Sequence, residues 1–269
     1  MSFNNETSKD IDQSTRQGMR TENSVRYRFA DFTLEHYRRL VSLAAQHYLF
    51  CRYASAYPEE GFLLWRHDVD FSVHRALKLA EIEHSLGVNA TYFIHPHSEF
   101  YNFFERSIVD KVLAIVSLGH DVGLHFDADY YGINDANALE ERLSKEKTLL
   151  ESVYSTKIGV FSFHNPSIRT AQFRNTNYAG MVNTYSSYFL QNVSYCSDSN
   201  GYWRFESLDE AIINPENKRL QVLTHPEWWQ DYIMSPEERI MKCIYGRCQR
   251  MKERYDAFLK LHERNGIDW

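Results

Sequence analysis

Short apolar runs alternate with longer amphipathic segments along most of this chain. The short runs have the length of buried strands, whereas the longer segments repeat apolar residues every three or four positions, as amphipathic helices do. Strands that alternate with helices predict an α/β fold with a parallel sheet, either open or closed. The predicted strands are 62–65, 88–94, 120–124, 158–161, 181–183, 193–196 and 220–223.

The segments between these strands predict helices with one buried face. Gly87 and Gly119 each follow such a segment, at the position where glycine commonly ends a helix. Gly246 predicts a bend or a break in the last helix. The predicted helices are 72–86, 105–118, 137–153 and 236–262, with a further helix around 32–44 before the first strand.

The two ends of the chain differ in composition. Residues 1–26 are polar and nearly free of large apolar side chains, so they predict a disordered tail. We expect 27–269 to form one domain, because neither an internal repeat nor a second boundary is visible.

Charge and motif content exclude several classes of function. The 269 residues carry a formal net charge of −6, which disfavours nonspecific binding of nucleic acid. The chain lacks a glycine-rich phosphate loop and a GxSxG elbow, which argues against kinases, dinucleotide enzymes and serine hydrolases. It also lacks a signal-peptide pattern and an apolar run of roughly 18 residues, so we expect a cytoplasmic protein without a membrane span.

Four predicted strands end in short clusters of polar residues. In α/β barrels the loops at the C-terminal strand ends carry the chemistry. These four clusters therefore predict one shared site, with a bound metal. The clusters are 66–70, 123–127, 163–166 and 224–227.

Carboxylates and a histidine in two of these clusters suit a metal centre. Asp68 and Asp70 are two residues apart, so in an extended chain they point the same way, which suits one metal ligand beside one general base. His125 precedes Asp127 and Asp129 at spacings of two and four, which suits zinc or another divalent metal.

The other two clusters suit proton transfer and substrate binding. His225 stands at a strand end, where it can act as a general acid. His164 and Asn165 can orient a neighbouring carboxylate or bind substrate. Trp228 and Trp229 can stack on a sugar ring, although at least one of them is expected to pack under the rim of the sheet.

The order and spacing of these motifs resemble the polysaccharide deacetylases of the NodB-homology type, carbohydrate esterase family 4. The resemblance covers roughly residues 62–229 and implies a distorted (β/α)7 barrel, here with an extra N-terminal helix and a long C-terminal helix. It also implies removal of acetyl groups from N-acetylated sugars with a divalent metal, usually zinc. The matching segments are Arg-His-Asp-Val-Asp at 66–70, Leu-Gly-Val-Asn-Ala-Thr-Tyr-Phe at 86–93, Gly-His-Asp-Val-Gly-Leu-His at 119–125, Phe-His-Asn-Pro-Ser at 163–167 and Val-Leu-Thr-His at 222–225.

The resemblance implies a metal set and a base, with departures from the family pattern. Asp68 matches the base, and Asp70 would supply the metal ligand one residue later than in the family, because Val69 occupies the usual position. The reverse assignment of the two aspartates stays open. His125 matches the first metal histidine, and Asp129 stands where the family has a second one. The rivals of Asp129 for the third ligand position are Asp127 and His164.

The remaining roles also follow from the resemblance. His225 matches the catalytic histidine of the last motif, and His164 replaces the family arginine that steadies the base. Asn165, Trp228 and Trp229 are the expected substrate-binding residues. Asp198 is a weak match to a further family aspartate.

We therefore predict a metal-dependent hydrolase that removes an acyl group, in the simplest case acetyl, from a sugar or a surface-polysaccharide precursor. The expected substrate is a saccharide or a nucleotide- or lipid-linked saccharide, and no nucleic acid is expected. The departures leave two alternatives open. One is a catalytically degenerate copy that binds metal or sugar, and the other is an amidohydrolase that acts on a non-acetyl amide.

Overall fold

A nine-stranded, mainly parallel sheet organises the chain. The computed structural model describes residues 26–55, 57–262 and 264. The sheet curls into a half-barrel. Its strands are β1 (Leu49–Phe50), β2 (Phe62–Val69), β3 (Thr91–Ile94), β4 (Asp121–Phe126), β5 (Val160–Phe163), β6 (Asn177–Tyr178), β7 (Met181–Asn183), β8 (Ser194–Ser197) and β9 (Arg219–Thr224).

The strand order follows β6-β7-β5-β4-β3-β2-β9-β8, and β1 pairs with β2 beside this path. The pairs are parallel except for β6 with β7, which is antiparallel. All seven predicted strands are present, and the α/β class and the distorted barrel are confirmed. The two strands that were not predicted, β1 and β6, are two residues long, which is too short to produce a periodic pattern.

Seven α-helices accompany the strands in the described part of the chain. The predicted N-terminal and C-terminal helices are both present, and the last helix continues through Gly246 without the predicted break. Side chains satisfy free backbone N–H groups at several helix starts, as Ser72 does for Arg75. The helices are α1 (Leu34–His47), α2 (Val73–Ser85), α3 (Arg106–Ser117), α4 (Ala136–Tyr154), α5 (Ser187–Asn192), α6 (Leu208–Ile213) and α7 (Pro236–Leu261).

The two faces of the sheet pack against different groups. Phe62 and Leu64 of β2 lie in a small apolar cluster with Phe93 of β3 and Val160 of β5. We call this side the inner face. Trp65 of β2 points the other way, into the larger cluster that the helices cover. Because side chains alternate along a strand, the inner-face residues determine which polar groups meet at the strand ends.

Gly123 allows β3 and β4 to pack closely on the inner face. A Cβ atom at this position would lie 2.6 Å from the ring of Phe93, which is closer than side chains approach. The close contact places the C-terminal ends of the two strands beside each other, with His95 directly after β3 and His125 one residue before the end of β4.

Two further findings concern the ends of the chain and the membrane. Residues 1–25 of the predicted disordered tail lie outside the described residues. Within the ranges that are described, no helix is both long enough and apolar enough to cross a membrane.

Candidate active site

Polar side chains from five strands converge at the C-terminal edge of the inner face. Each lies an even number of residues from an inner-face residue of its own strand, as alternation requires. Several of them line a cavity of about 660 Å³. The converging residues are Asp68 and Asp70 after Leu64 of β2, His95 after Phe93, His125 after Gly123, His164 after Val160, and His225 after β9.

Asp70, His125 and His164 have the spacing of a metal-ligand set. Asp70 Oδ1 lies 3.1 Å from His125 Nε2 and 3.5 Å from His164 Nδ1. The two histidine nitrogens are 3.2 Å apart. A tetrahedral ion with bonds of about 2.0–2.1 Å holds its ligand atoms about 3.3 Å apart. All three separations fit that geometry.

Unsatisfied polar atoms support the same interpretation. His95 Nε2 is buried and has no hydrogen-bond partner, and Asp70 Oδ1 makes no hydrogen bond of good geometry although it contacts two histidine nitrogens. Leaving a buried polar atom unpaired costs about 1–3 kcal/mol, so such atoms call for an explanation. A bound cation supplies one, because carboxylate oxygen and neutral imidazole nitrogen are both metal ligands.

His95 is a further candidate ligand. One ligand atom from each of Asp70, His95 and His164 lies within 4.8 Å of the other two. The His95 ring stacks on the His164 ring with centroids 4.3 Å apart. Burial, followed by repulsion from His125 and His164, lowers the pKa of His95 to about 3. His95 is therefore neutral, which is the form that binds a metal.

The charges in this cluster are coupled. Burial alone would raise the pKa of Asp70, but His125 and His164 outweigh burial and hold it well below its usual range. Burial opposes protonation of His164, yet the adjacent Asp70 raises the pKa of its ring. In the absence of a cation, the charge of Asp70 therefore favours protonation of His164, and metal binding would compete with that proton.

Ser162 connects the metal-ligand set to Asp68. Its hydroxyl lies 2.7 Å from His125 Nδ1 and donates to Asp68 Oδ1 at 3.4 Å. This contact occupies His125 Nδ1 and leaves Nε2 to face Asp70. Metal-binding histidines are usually oriented in this way, through their other nitrogen.

Arg66 holds Asp68 in place. Its guanidinium lies 2.9 Å from Asp68 Oδ2 and donates to Thr184 Oγ1 at 2.7 Å and to the Tyr185 hydroxyl at 3.1 Å. Sequence reasoning missed Arg66 and assigned the steadying role to His164. The available signal was the spacing, since Arg66 lies two residues before Asp68 in the same strand and therefore on the same face.

His225 is fixed by a buried carboxylate. Its Nδ1 lies 2.7 Å from Asp198 Oδ1, and Asp198 also accepts a hydrogen bond from the His225 backbone N–H. Burial disfavours the charged ring, but Asp198 outweighs burial and raises the pKa of His225 to about 10. Because Nδ1 is engaged, Nε2 is the nitrogen available to a substrate in the cavity.

Two of the predicted site residues lie away from the cavity. Strand β4 ends at Phe126, and the turn after it directs Asp129 outwards, where its side chain is 56% exposed and lies 3.7 Å from Arg169. His164 therefore replaces Asp129 in the ligand set that we consider below. Trp229 is fully buried, so its ring cannot stack on a ligand. Its indole N–H donates to Asp198 at 2.9 Å.

The other predicted residues border the cavity. Asn165 and Trp228 line its wall. The Asn165 amide lies 2.8 Å from His164 Nε2 and so orients the ring from its far side. Asp127, a rival metal ligand, also lines the cavity, but its Oδ2 lies 3.8 Å from His95 Nε2, outside the tightly spaced set.

Comparison with known proteins gives structural neighbours only. No protein-family model matches the chain, and no curated protein does. Among solved structures, it is similar to a family 4 carbohydrate esterase from Bacillus anthracis, with 14% identity, a TM-score of 0.44, and coverage of 77% of this chain and 84% of that one. It is similar to a CE4 family pseudoenzyme from Bacillus anthracis, with 15% identity, a TM-score of 0.41, and coverage of 74% of this chain and 63% of that one.

A third neighbour is a family 4 acetyl xylan esterase from Clostridium thermocellum in complex with a cobalt ion, with 10% identity and a TM-score of 0.37. The similarity covers 70% of this chain and 84% of that one. This chain spans less than two thirds of the pseudoenzyme's length. All three neighbours belong to the family that the motif order resembles. At these identities and TM-scores, neither activity nor metal nor substrate carries over to this chain.

Proposed function

We propose that this chain is a metal-dependent hydrolase that removes an acyl group, in the simplest case acetyl, from a sugar. The observation that carries the proposal is the spacing of Asp70 Oδ1, His125 Nε2 and His164 Nδ1. Two histidines and one carboxylate form a three-ligand set of the kind that catalytic zinc sites use, so zinc is the ion we expect. A bound divalent ion would polarise the acyl carbonyl and lower the pKa of a water molecule.

In this proposal Asp68 accepts the proton that the attacking water loses. Arg66 and Ser162 hold its two carboxylate oxygens, and Oδ2 lies 3.7 Å from His125 Nε2, so the carboxylate is next to the ligand set. Asp70 takes the metal-ligand role, because its Oδ1 is the oxygen that faces both His125 and His164.

His225 is the proposed general acid. Asp198 fixes the ring through Nδ1 and favours the protonated form, so Nε2–H can be donated to the leaving nitrogen or oxygen. Asn165 and Trp228, on the cavity wall, would contact the sugar. The cavity volume of about 660 Å³ is in the range of small-ligand sites. We further propose that the sugar belongs to a surface-polysaccharide precursor in the cytoplasm, which cell fractionation and precursor analysis would test.

The test is acyl release by the zinc-loaded protein from a panel of N- and O-acetylated mono- and oligosaccharides. Asp68→Asn should lower kcat by about 10²–10⁴ while the protein keeps its zinc, because the substitution removes a general base and not a ligand. A matched control is Asp135→Asn at the start of α4, where asparagine caps a helix as well as aspartate does. Turnover by Asp68→Asn at the wild-type rate would overturn the mechanism.

One observation favours a second function. Asp68 is only 2% exposed, and it does not line the cavity wall. A carboxylate that water does not reach is poorly placed to act as a base. The burial of Asp68 therefore favours a protein that binds metal and saccharide without hydrolysing the saccharide. This alternative predicts zinc-dependent binding of an acetylated sugar in calorimetry, with no acyl release from any member of the panel.

A further inference from the structure

A second, mostly apolar groove continues from the cavity along the C-terminal helix. It has a volume of about 550 Å³ and lies between the 98–102 loop and α7. The cavity and the groove have four lining residues in common, so the two spaces adjoin. The shared residues are Phe71, Ser98, Glu99 and Phe100.

The shared boundary is a pair of aromatic rings. Phe71 directly follows Asp70, and its ring packs on Phe100 with centroids 3.8 Å apart. An apolar group attached to a substrate at Asp70 would therefore meet these rings first when it leaves the cavity.

The helix side of the groove presents apolar atoms that the fold leaves partly uncovered. Ile244 is 37% exposed and Met251 is 56% exposed, and both line the groove with Cys243. The one cation in the lining, Arg247, is held by Glu105, with Nη1 and Oε2 2.5 Å apart. Apart from Glu99, which lies at the boundary with the cavity, the groove therefore offers a mainly apolar surface, which suits a hydrocarbon group rather than a second sugar ring.

We propose that this groove is a hydrophobic subsite that takes an alkyl chain of the substrate, so that the natural substrate is an amphiphilic saccharide. The inference rests on the proposed function for the position of the sugar. The chain could reach the groove from the acyl side or from the aglycone side of the sugar. Both sources present the same chemistry, a linear hydrocarbon that starts at the cavity.

The experiment compares two series of substrates on the zinc-loaded protein. One series lengthens the acyl group on a methyl glycoside from acetyl to octanoyl, and the other lengthens the aglycone of an acetylated sugar from methyl to octyl. We expect kcat/KM to rise along one series, by up to about fourfold for each methylene that becomes fully buried. The series that responds identifies the source of the chain.

Substitutions on α7 test whether the groove causes this preference. Met251→Glu should reduce the octyl-to-methyl or octanoyl-to-acetyl ratio of kcat/KM towards one, because it places a charge against the chain. Tyr245→Glu is the matched control. Tyr245 is 65% exposed on the same helix and does not line the groove. The ratio of kcat/KM between long-chain and short-chain substrates should therefore be the same in Tyr245→Glu as in the wild type. If kcat/KM of the wild type did not change with chain length in either series, the proposal would be overturned.

A binding measurement separates this proposal from the proposed hydrolase. Calorimetry with octyl glucoside below its micelle concentration should show binding to the wild type and to Asp68→Asn, with at least tenfold weaker binding to Met251→Glu. Acyl release without chain-length dependence and without octyl glucoside binding would refute the subsite and leave the hydrolase in place. Octyl glucoside binding without acyl release would refute the hydrolase and keep the subsite.

Discussion

Two clusters of histidines and carboxylates lie on opposite faces of β2 and differ in how completely their polar atoms are paired. On the inner face, Asp70 meets His125 and His164 beside a cavity. On the opposite face, His67 meets Glu83 of α2 in a region that the helices cover. Both clusters contain the residue types that suggest catalysis or metal binding, so composition alone does not distinguish them.

The cluster around Glu83 is buried and paired. Glu83 Oε1 lies 2.7 Å from His67 Nε2 and accepts from the Tyr37 hydroxyl, while Oε2 accepts from the Tyr92 hydroxyl at 2.7 Å. Thr224 Oγ1 lies 2.7 Å from His67 Nδ1. Burial opposes ionisation of Glu83, but His67 and the neighbouring donors lower the pKa of its carboxyl. This network has no free ligand atom to offer.

The inner cluster has the opposite properties. His95 Nε2 has no hydrogen-bond partner, Asp70 Oδ1 has only its ion contacts with His125 and His164, and both residues line the cavity. Unpaired buried atoms that face open space, and not the number of histidines, are therefore what indicates a binding site.

Metal binding should depend on the inner cluster alone. His125→Ala should abolish stoichiometric zinc and lower acyl release by about 10³ or more, because the substitution removes a ligand from a three-residue set. His120 belongs to the opposite cluster, where its Nδ1 lies 3.5 Å from Glu83 Oε2, and His120→Gln should keep one ion per folded chain. Elemental analysis after zinc loading and dialysis measures both. A wild type that retains no metal, or a His120→Gln variant that loses it, would contradict the contrast.

Stability should depend on the opposite cluster. Glu83→Gln should lower the free energy of unfolding of the metal-free protein by about 3–5 kcal/mol, because it removes the charge that His67 and two tyrosines surround. Asp70→Asn should cost less, because Asp70 lies at the cavity with its side chain 17% exposed, so that solvent screens its ion pairs with His125 and His164. Urea unfolding of both variants makes the comparison, and equal costs would show that the two clusters do not differ in this way.

The pairing of His225 with Asp198 should make the stability of the metal-free protein depend on pH. The pKa of His225 is raised to about 10 in the folded state, from about 6.5 in an unfolded chain. Its contribution is therefore complete below about pH 6.5 and is lost as the pH rises through about 10. The wild type should lose roughly 2–4 kcal/mol more than His225→Gln between pH 6.5 and 10. Parallel pH profiles for the two proteins would contradict this assignment.

The strands and the polar clusters at their ends were predictable because both produce local patterns. Apolar runs located β2, β4, β5 and β9, and the residues after each run reached the same edge because parallel strands end together. Asp129 was misplaced because its spacing from His125 was interpreted without knowing that the strand ends at Phe126. Trp229 was assigned to the substrate because sequence does not show which tryptophan of the pair faces the cavity.

Contacts between strands were not predictable from local pattern. Ser162 has no distinctive neighbours in the sequence, and its role follows only from the β4–β5 register, which pairs it with His125. Asp198 lies far along the chain from His225, and the pairing of β8 with β9 brings them together. Arg66 is the exception, because alternation along β2 was enough to place it with Asp68.

Two hydroxyl groups give the most sensitive test of the contrast. Ser162 Oγ and Thr224 Oγ1 each lie 2.7 Å from the Nδ1 atom of a histidine, on opposite faces of the sheet. Ser162→Ala should weaken zinc binding by about 10–100-fold, because a metal-binding histidine loses the group that orients it. The fold should also lose about 1–3 kcal/mol of unfolding free energy, because His125 Nδ1 is left buried without a partner.

Thr224→Val should lower the stability by a similar amount and leave zinc binding unchanged. It keeps the shape of the side chain but leaves His67 Nδ1 buried without a partner, which costs about 1–3 kcal/mol of unfolding free energy. Zinc affinity should equal that of the wild type, because His67 points away from the cavity. Competition with a zinc chelator and urea unfolding, applied to both variants, measure the two quantities. If both variants changed affinity and stability in the same proportion, the two faces of β2 would form one coupled network, and the unpaired atoms of the inner cluster would not mark a separate binding site.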